Sequence, residues 1–159
     1  MTDIITWLAT GFGLGNTSLL PGTLGALPGL LIAWWMLRYS RRVQWLTATA
    51  LLIVAIPICH TASETLGGKD DSRIVADEFM AFPVVLAGQS AARQPVVMVG
   101  AFALSRVLDG LKPPPAARLE NVAGGVGIVL DDLSANLYAW LIVATGLALW
   151  RRRRGIPLR

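Results

Sequence analysis

Two pairs of adjacent carboxylates stand at the edges of apolar runs. Asp77 and Glu78 close the segment Asp71-Ser-Arg-Ile-Val-Ala-Asp77-Glu78, and Asp131 and Asp132 follow Gly127-Ile-Val-Leu. Neighbouring carboxylates repel, and moving either one into a low-dielectric surrounding is costly unless a cation offsets it. The two pairs make the oxygen-rich ligand set that Mg²⁺ or Mn²⁺ prefers. The plainer account is solvated acids at helix starts, favoured by the helix dipole. That account serves either pair alone better than it serves both.

Arg106, Asp109 and Lys112 follow at i, i+3 and i+6, a spacing that predicts one helical face if the helix continues, before Pro113–Pro115 end it. Basic groups on both sides of a carboxylate suit phosphate oxygens, with the carboxylate left to reach a metal. The competing reading is an Arg–Asp ion pair with a snorkelling lysine. Pro21-Gly-Thr-Leu-Gly25 reads as a helix start with Thr23 as its N-cap, and small residues such as Gly22 let an anion approach the backbone N–H groups. No lysine follows in the register of a P-loop. Gly124-Gly-Val-Gly127 permits close backbone approach ahead of the second acidic pair. His60, the sole histidine, reads as a helix-end residue.

These residues need elements to carry them. The chain has 159 residues, 54% hydrophobic and only 15% charged, against about 25% charged in an average soluble domain. Its mean hydropathy is +0.57. Apolar runs fall at Leu19–Leu37, Val43–Cys59, Phe79–Gly88, Pro95–Ser105 and Leu133–Trp150, with tryptophans near several ends. A full helical span takes about 17–25 apolar residues, which the second and last runs supply. The first does so only by accepting Pro21, Gly22 and Pro28. The third and fourth need their polar flanks as well. The expected fold is an all-α polytopic transmembrane bundle of about five short or broken membrane helices, in one domain over residues 1–159.

Sorting the charges supports an odd number of crossings. With five, all ten acids (Asp3, Glu64, Asp70, Asp71, Asp77, Glu78, Asp109, Glu120, Asp131 and Asp132) fall on one side. Arg38, Arg41, Arg42, Arg93, Arg151–Arg154 and Arg159 fall on the other. A net charge of +4 from arginines flanking apolar runs points to lipid head groups and topology, not to nucleic acid. The first residues carry Asp3 and no basic side chain, unlike a cleavable signal peptide. Cys59 is the single cysteine and reads as a core thiol.

In order and spacing the segments resemble the phosphatidylglycerophosphatase A family. The matching pieces are Leu20-Pro-Gly-Thr-Leu-Gly25, Cys59-His-Thr-Ala, Asp71-x-x-Ile-Val-x-Asp77-Glu78-Phe, Arg106-Val-Leu-Asp109-x-x-Lys112-Pro113 and Gly124-Gly-x-Gly-Ile-x-x-Asp131-Asp132. The resemblance implies a multi-pass, Mg²⁺-dependent enzyme of the inner (cytoplasmic) membrane that converts phosphatidylglycerophosphate to phosphatidylglycerol. Asp71, Asp77, Glu78, Asp109, Asp131 and Asp132 match the family's acidic positions, Arg106 and Lys112 its basic ones, and Thr23 its threonine. The chain departs from the pattern at Ser105 (an aromatic expected), Ala81 and Asn136 (glycines expected) and Ala123 (a position that can be histidine). The expected roles are metal ligation by Asp71, Asp77, Glu78, Asp131 and Asp132, catalysis by Asp109, Arg106, Lys112 and Asp132, and substrate binding by Gly22, Thr23, Arg106 and Lys112.

Two other classes compete. A CDP-alcohol phosphatidyltransferase also has an Asp-Gly pair like Asp109-Gly110, but its further aspartates stand four apart, whereas Asp131 and Asp132 are adjacent. An ion channel or transporter would use intramembrane carboxylates, yet leaves Arg106, Lys112 and the Pro-Gly-Thr segment idle. The positive-inside rule puts the arginine-rich side in the cytoplasm. The resemblance instead implies that the acidic side faces the cytoplasmic leaflet, where the lipid substrate is made.

Overall fold

A computed structural model describes residues 2–68, 71–114, 116–119 and 121–155. Of the residues named above, Asp70, Pro115, Glu120 and Arg159, and the side chain of Asp3, lie outside the described part. The regular elements described are all helices: α1 (Thr2–Ala9), α2 (Pro21–Gly25), α3 (Leu27–Met36), α4 (Arg41–Leu66), α5 (Ala76–Ala81), α6 (Pro83–Leu86), α7 (Pro95–Leu111), α8 (Ala116–Leu119) and α9 (Gly124–Arg153), with single 3₁₀ turns at Leu14–Asn16 and Ser90–Arg93. The all-α expectation holds.

The second and last apolar runs form α4 and α9, the two helices among the described residues that are long and apolar enough to cross a membrane. At 1.5 Å per residue they measure about 39 and 45 Å, against a hydrocarbon core of about 30 Å. Most of the apolar surface of both helices is not covered by the rest of the molecule. Leu46, Ile53, Leu141 and Leu149 point outward, as do Leu31 on α3 and Val96 on α7. A belt of this kind suits contact with lipid.

The other runs are shorter pieces. The first breaks into α2 and α3 at Ala26, because Pro28 opens a new helix. The third breaks at Phe82, where Pro83 starts α6. Phe79 through Ala87 are buried, so this run is the centre of the molecule and the other helices pack around it. α7 has 17 residues, about 25 Å. Phe82 meets Phe102 of α7 edge-on, with ring centroids 5.4 Å apart, in a cluster with Leu86 and Ala139. Cys59, Phe79, Met80 and Val129 form a second cluster joining α4, α5 and α9. Cys59 is the buried thiol expected.

α4 and α9 lie antiparallel. Gly125, at the start of α9, has no room for a Cβ against the Ile56 carbonyl and His60 of α4, which explains the glycine pair there. At their other ends Arg41 and Arg151 border a common cavity. The described acids of α5, α7 and α9 therefore gather at one end of the long pair, and Arg41 and Arg151 lie at the other. Asp132 and Arg151 are 19 residues apart on α9, about 28 Å along its axis and close to the hydrocarbon thickness.

Candidate active site

Asp77 and Glu78 occupy the first turn of α5, where the helix dipole favours acids. The Val75 N–H donates to the Ala9 carbonyl at 2.9 Å and so fixes this turn against the end of α1. Asp71 lies in the preceding loop, held by a bidentate fork from Arg73 (Nη2–Oδ2 2.6 Å, Nε–Oδ1 2.8 Å). That fork keeps the Asp71 carboxyl below the usual carboxylate range. Arg73 also donates to the Leu66 carbonyl at 3.2 Å, which ties the loop to the end of α4.

α7 and α9 bring the remaining charges. Arg106 Nη1 lies 2.9 Å from Glu78 Oε2 and 3.7 Å from Asp109 Oδ2. Lys112 Nζ lies 2.9 Å from Asp131 Oδ2. The helix does not continue to Lys112. It ends at Leu111, and Lys112 is a left-handed cap with φ 44°, so the expected i+6 position on one face is corrected. The side chain still reaches the site, from a turn instead of a helix.

Asp71, Asp77, Glu78, Asp109, Asp131, Asp132 and Lys112 line one cavity of about 170 Å³, with Ile74, Gly127 and Ile128 completing its wall. Six carboxylates and one lysine at a single cavity is a large excess of negative charge. Asp77 is 9% exposed and Asp132 4%. Asp77 Oδ1 and Asp132 Oδ2 are buried with no hydrogen-bond donor, and Arg106 Nε and Nη2 are buried with no acceptor. Buried groups of this kind cost about 1–3 kcal/mol each, more when charged, unless something supplies the missing partner. A hard divalent cation would satisfy the oxygens, and phosphate oxygens would satisfy the donors. In donor chemistry the set fits Mg²⁺. As the side chains stand, no three Asp, Glu, His or Cys among the described residues are grouped to hold an ion, with Arg106 and Lys112 drawn up to carboxylates instead.

Three residues from the sequence lie off this cavity. Arg106 stands behind Glu78 and Asp109 and does not line it. Gly22 touches it indirectly: a Cβ built there would be 2.5 Å from Glu78 Oε1, so α2 rests directly on that carboxylate. Thr23 is not an N-cap. Leu20 takes the cap position in a left-handed conformation (φ 49°), Pro21 is the first helical residue, and no side chain caps α2. His60 sits 3.8 Å from Glu64 and is half exposed, but α4 runs on to Leu66, so the helix-end reading is corrected: His60 lies inside the helix, nearly two turns before its end.

Sequence reasoning missed the clamp on Asp71, for which Arg73 two residues on was the available signal. It also missed that Ser105 and Asn136, two of the departures from the family pattern, face each other. Ser105 Oγ donates to Asn136 Oδ1 at 2.6 Å, both residues fully buried, joining α7 to α9 one residue before Arg106.

Residues 7–147 match the family described as phosphatidylglycerophosphatase A. A protein of Bacteroides thetaiotaomicron, provisionally named a phosphatidylinositol-3-phosphatase, is 34% identical over 148 residues, 90% of this chain and 92% of its own. Phosphatidylglycerophosphatase A of Haemophilus influenzae is 35% identical over 86% of this chain and 84% of its own, and that of Escherichia coli 31% over 82% and 76%. No solved structure gives a significant match. With nearly nine-tenths of its length inside the family's pattern, this chain belongs to the phosphatidylglycerophosphatase A family of phosphatases.

Proposed function

We propose that this phosphatase hydrolyses the terminal phosphomonoester of phosphatidylglycerophosphate at the acidic cavity, giving phosphatidylglycerol and inorganic phosphate. The observation that carries the reading is the set of buried carboxylate oxygens without donors beside a cationic Lys112 and the unsatisfied donors of Arg106. A channel or transporter would have use for the acids but none for the two cations. The phosphatidylglycerophosphatase relatives agree with this substrate.

In this account Asp77, Glu78, Asp131 and Asp132 would hold Mg²⁺, with Asp71 beside them. When bound, the ion would neutralise the phosphomonoester and stabilise charge on its oxygens. Lys112 holds a phosphate oxygen from the cavity wall. Arg106 turns its unsatisfied Nε and Nη2 donors to the equatorial oxygens as charge develops there. Asp109 orients a water molecule and takes its proton. The water oxygen bonds to phosphorus as the bond to the glycerol oxygen breaks, and the proton taken up by Asp109 passes to that oxygen, which leaves as the alcohol. Thr23 and the backbone around Gly22 approach the substrate over Glu78.

We place the chain in the inner membrane with α4 and α9 spanning it. α2–α3, α5–α6 and α7 make three further short crossings, which keeps the acids and the arginines flanking α4 and α9 on opposite faces. Purified protein in micelles, assayed for phosphate release, tests the substrate. Release from phosphatidylglycerophosphate should exceed release from phosphatidylinositol 3-phosphate by at least tenfold, about 1.4 kcal/mol of discrimination. The reverse preference would favour the activity named for the Bacteroides relative.

A further inference from the structure

A second cavity of about 280 Å³ opens at the arginine-rich end of α4 and α9, far from the acidic site. Arg41 and Arg151 border it, Trp45, Gln89 and Trp140 wall it, and Leu147 of α9 gives it an apolar floor. No carboxylate is among its lining residues. It runs along α9 from Trp140 to Arg151, about 16 Å, so it is charged at one end and apolar along its length.

The walls are built, not incidental. The Trp45 and Trp140 rings meet edge-on at 5.8 Å, and Trp140 Nε1 donates to the Ala87 carbonyl at 2.9 Å. Arg151 Nη2 lies 3.3 Å from Ser90 Oγ, which holds it over the Ser90–Arg93 turn. Gln89 is 8% exposed, and its Nε2 donates to the carbonyls of Val85 (3.2 Å) and Trp140 (3.3 Å). Two carbonyl acceptors fix which end of the amide is nitrogen. Its Oε1 is then a buried acceptor with no donor, at the wall of a cavity bordered by two guanidinium groups.

We infer that this cavity is a second lipid site, which takes an anionic phospholipid with a hydroxylated head group. The phosphodiester lies between Arg41 and Arg151, the head group reaches in beside the indoles so that a hydroxyl donates to Gln89 Oε1, and an acyl chain leaves past Leu147. Arginine pairs phosphate through its planar fork, and tryptophan belongs where head group meets chain. The separation of about 28 Å between Asp132 and Arg151 puts this site at the opposite membrane face from the acidic one. The inference rests on the membrane placement proposed above. The lipid chemistry it selects is that of the proposed product.

The test is quenching of tryptophan fluorescence in the full chain, in micelles, by phosphatidylglycerol with brominated acyl chains, compared with brominated phosphatidylcholine. Wild type should take up the anionic lipid preferentially. Arg41→Gln/Arg151→Gln should weaken it by about fivefold per arginine and leave phosphate release within twofold of wild type. Arg152→Gln/Arg153→Gln removes the same charge outside the cavity and should keep the affinity. Equal quenching by both lipids, an equal loss in the control pair, or displacement of the lipid by millimolar inorganic phosphate would overturn the site. A wild-type chain that released no phosphate would count against the proposed reaction and leave the quenching result standing.

Discussion

Gly22→Ala separates function from stability more cleanly than any change to a charged residue. Glycine in a helix costs about 1 kcal/mol relative to alanine, so the substitution favours α2 by that amount. The new Cβ would stand 2.5 Å from Glu78 Oε1, 3.0 Å from Oε2 and 3.2 Å from Cδ, where ordinary contact begins near 3.4 Å. Something must move by nearly 1 Å. If nothing yielded, overpacking would cost about 1–3 kcal/mol. The clashing atoms are the far end of a flexible side chain, so the carboxylate swings away and gives up its 2.9 Å contact with Arg106. Thermal unfolding in detergent should therefore shift little, while phosphate release falls about 100-fold, the scale of a 1 Å misplacement in an active site. Gly100→Ala on α7, where a Cβ meets nothing within 4 Å, is the matched control and should be fully active. A Gly22→Ala enzyme within twofold of wild type would refute the claim that α2 sets the position of Glu78 for the reaction.

Other substitutions probe separate parts of the site. Arg106→Ala should lower kcat/KM by about 2–4 kcal/mol, and Arg106→Lys should recover only part because the planar fork is lost; wild-type kinetics in Arg106→Ala would leave it a partner of Glu78 and nothing more. With capping excluded, Thr23→Ser should be mild, and Thr23→Asp at least as damaging to turnover as Thr23→Ala because it sets a negative charge toward the phosphate. An active, stable Thr23→Asp enzyme would remove Thr23 from the site. Ser105→Ala deprives the buried Asn136 carbonyl of its donor and should cost about 1–3 kcal/mol of stability, with Ser105→Ala/Asn136→Ala less than additive; additive losses would mean the two side chains do not act as a pair. Thiol labelling of Ser72→Cys and Ser40→Cys in intact cells decides which face the acidic site occupies. Labelling of Ser40→Cys from outside would contradict the positive-inside assignment.

The carboxylates were legible because adjacent acids inside apolar sequence have few physical justifications, and their grouping at one end followed from counting charges across runs. The two long spans were legible from length alone. What remained hidden is local backbone geometry. Nothing in Pro21-Gly-Thr announces that Leu20 adopts a left-handed conformation and takes the cap position from Thr23. The left-handed turn at Lys112, from which its side chain meets Asp131, is likewise not announced by the sequence, since a residue before proline ordinarily takes extended backbone. The third run looked like one apolar segment, yet Pro83 divides it and its burial makes it the core. Ser105 and Asn136 are 31 residues apart, and only the packing of α7 on α9 makes them partners.

The central claim is that the buried carboxylates work through a divalent cation. Phosphate release from phosphatidylglycerophosphate, measured first in excess EDTA and then with Mg²⁺ restored, tests it most directly. Activity should vanish with the chelator and return with Mg²⁺. Asp77→Asn and Asp132→Asn should each lower the restored rate by about two decades, as loss of a metal ligand or charge stabiliser does. Full activity in excess chelator, or wild-type rates in both variants, would contradict the account.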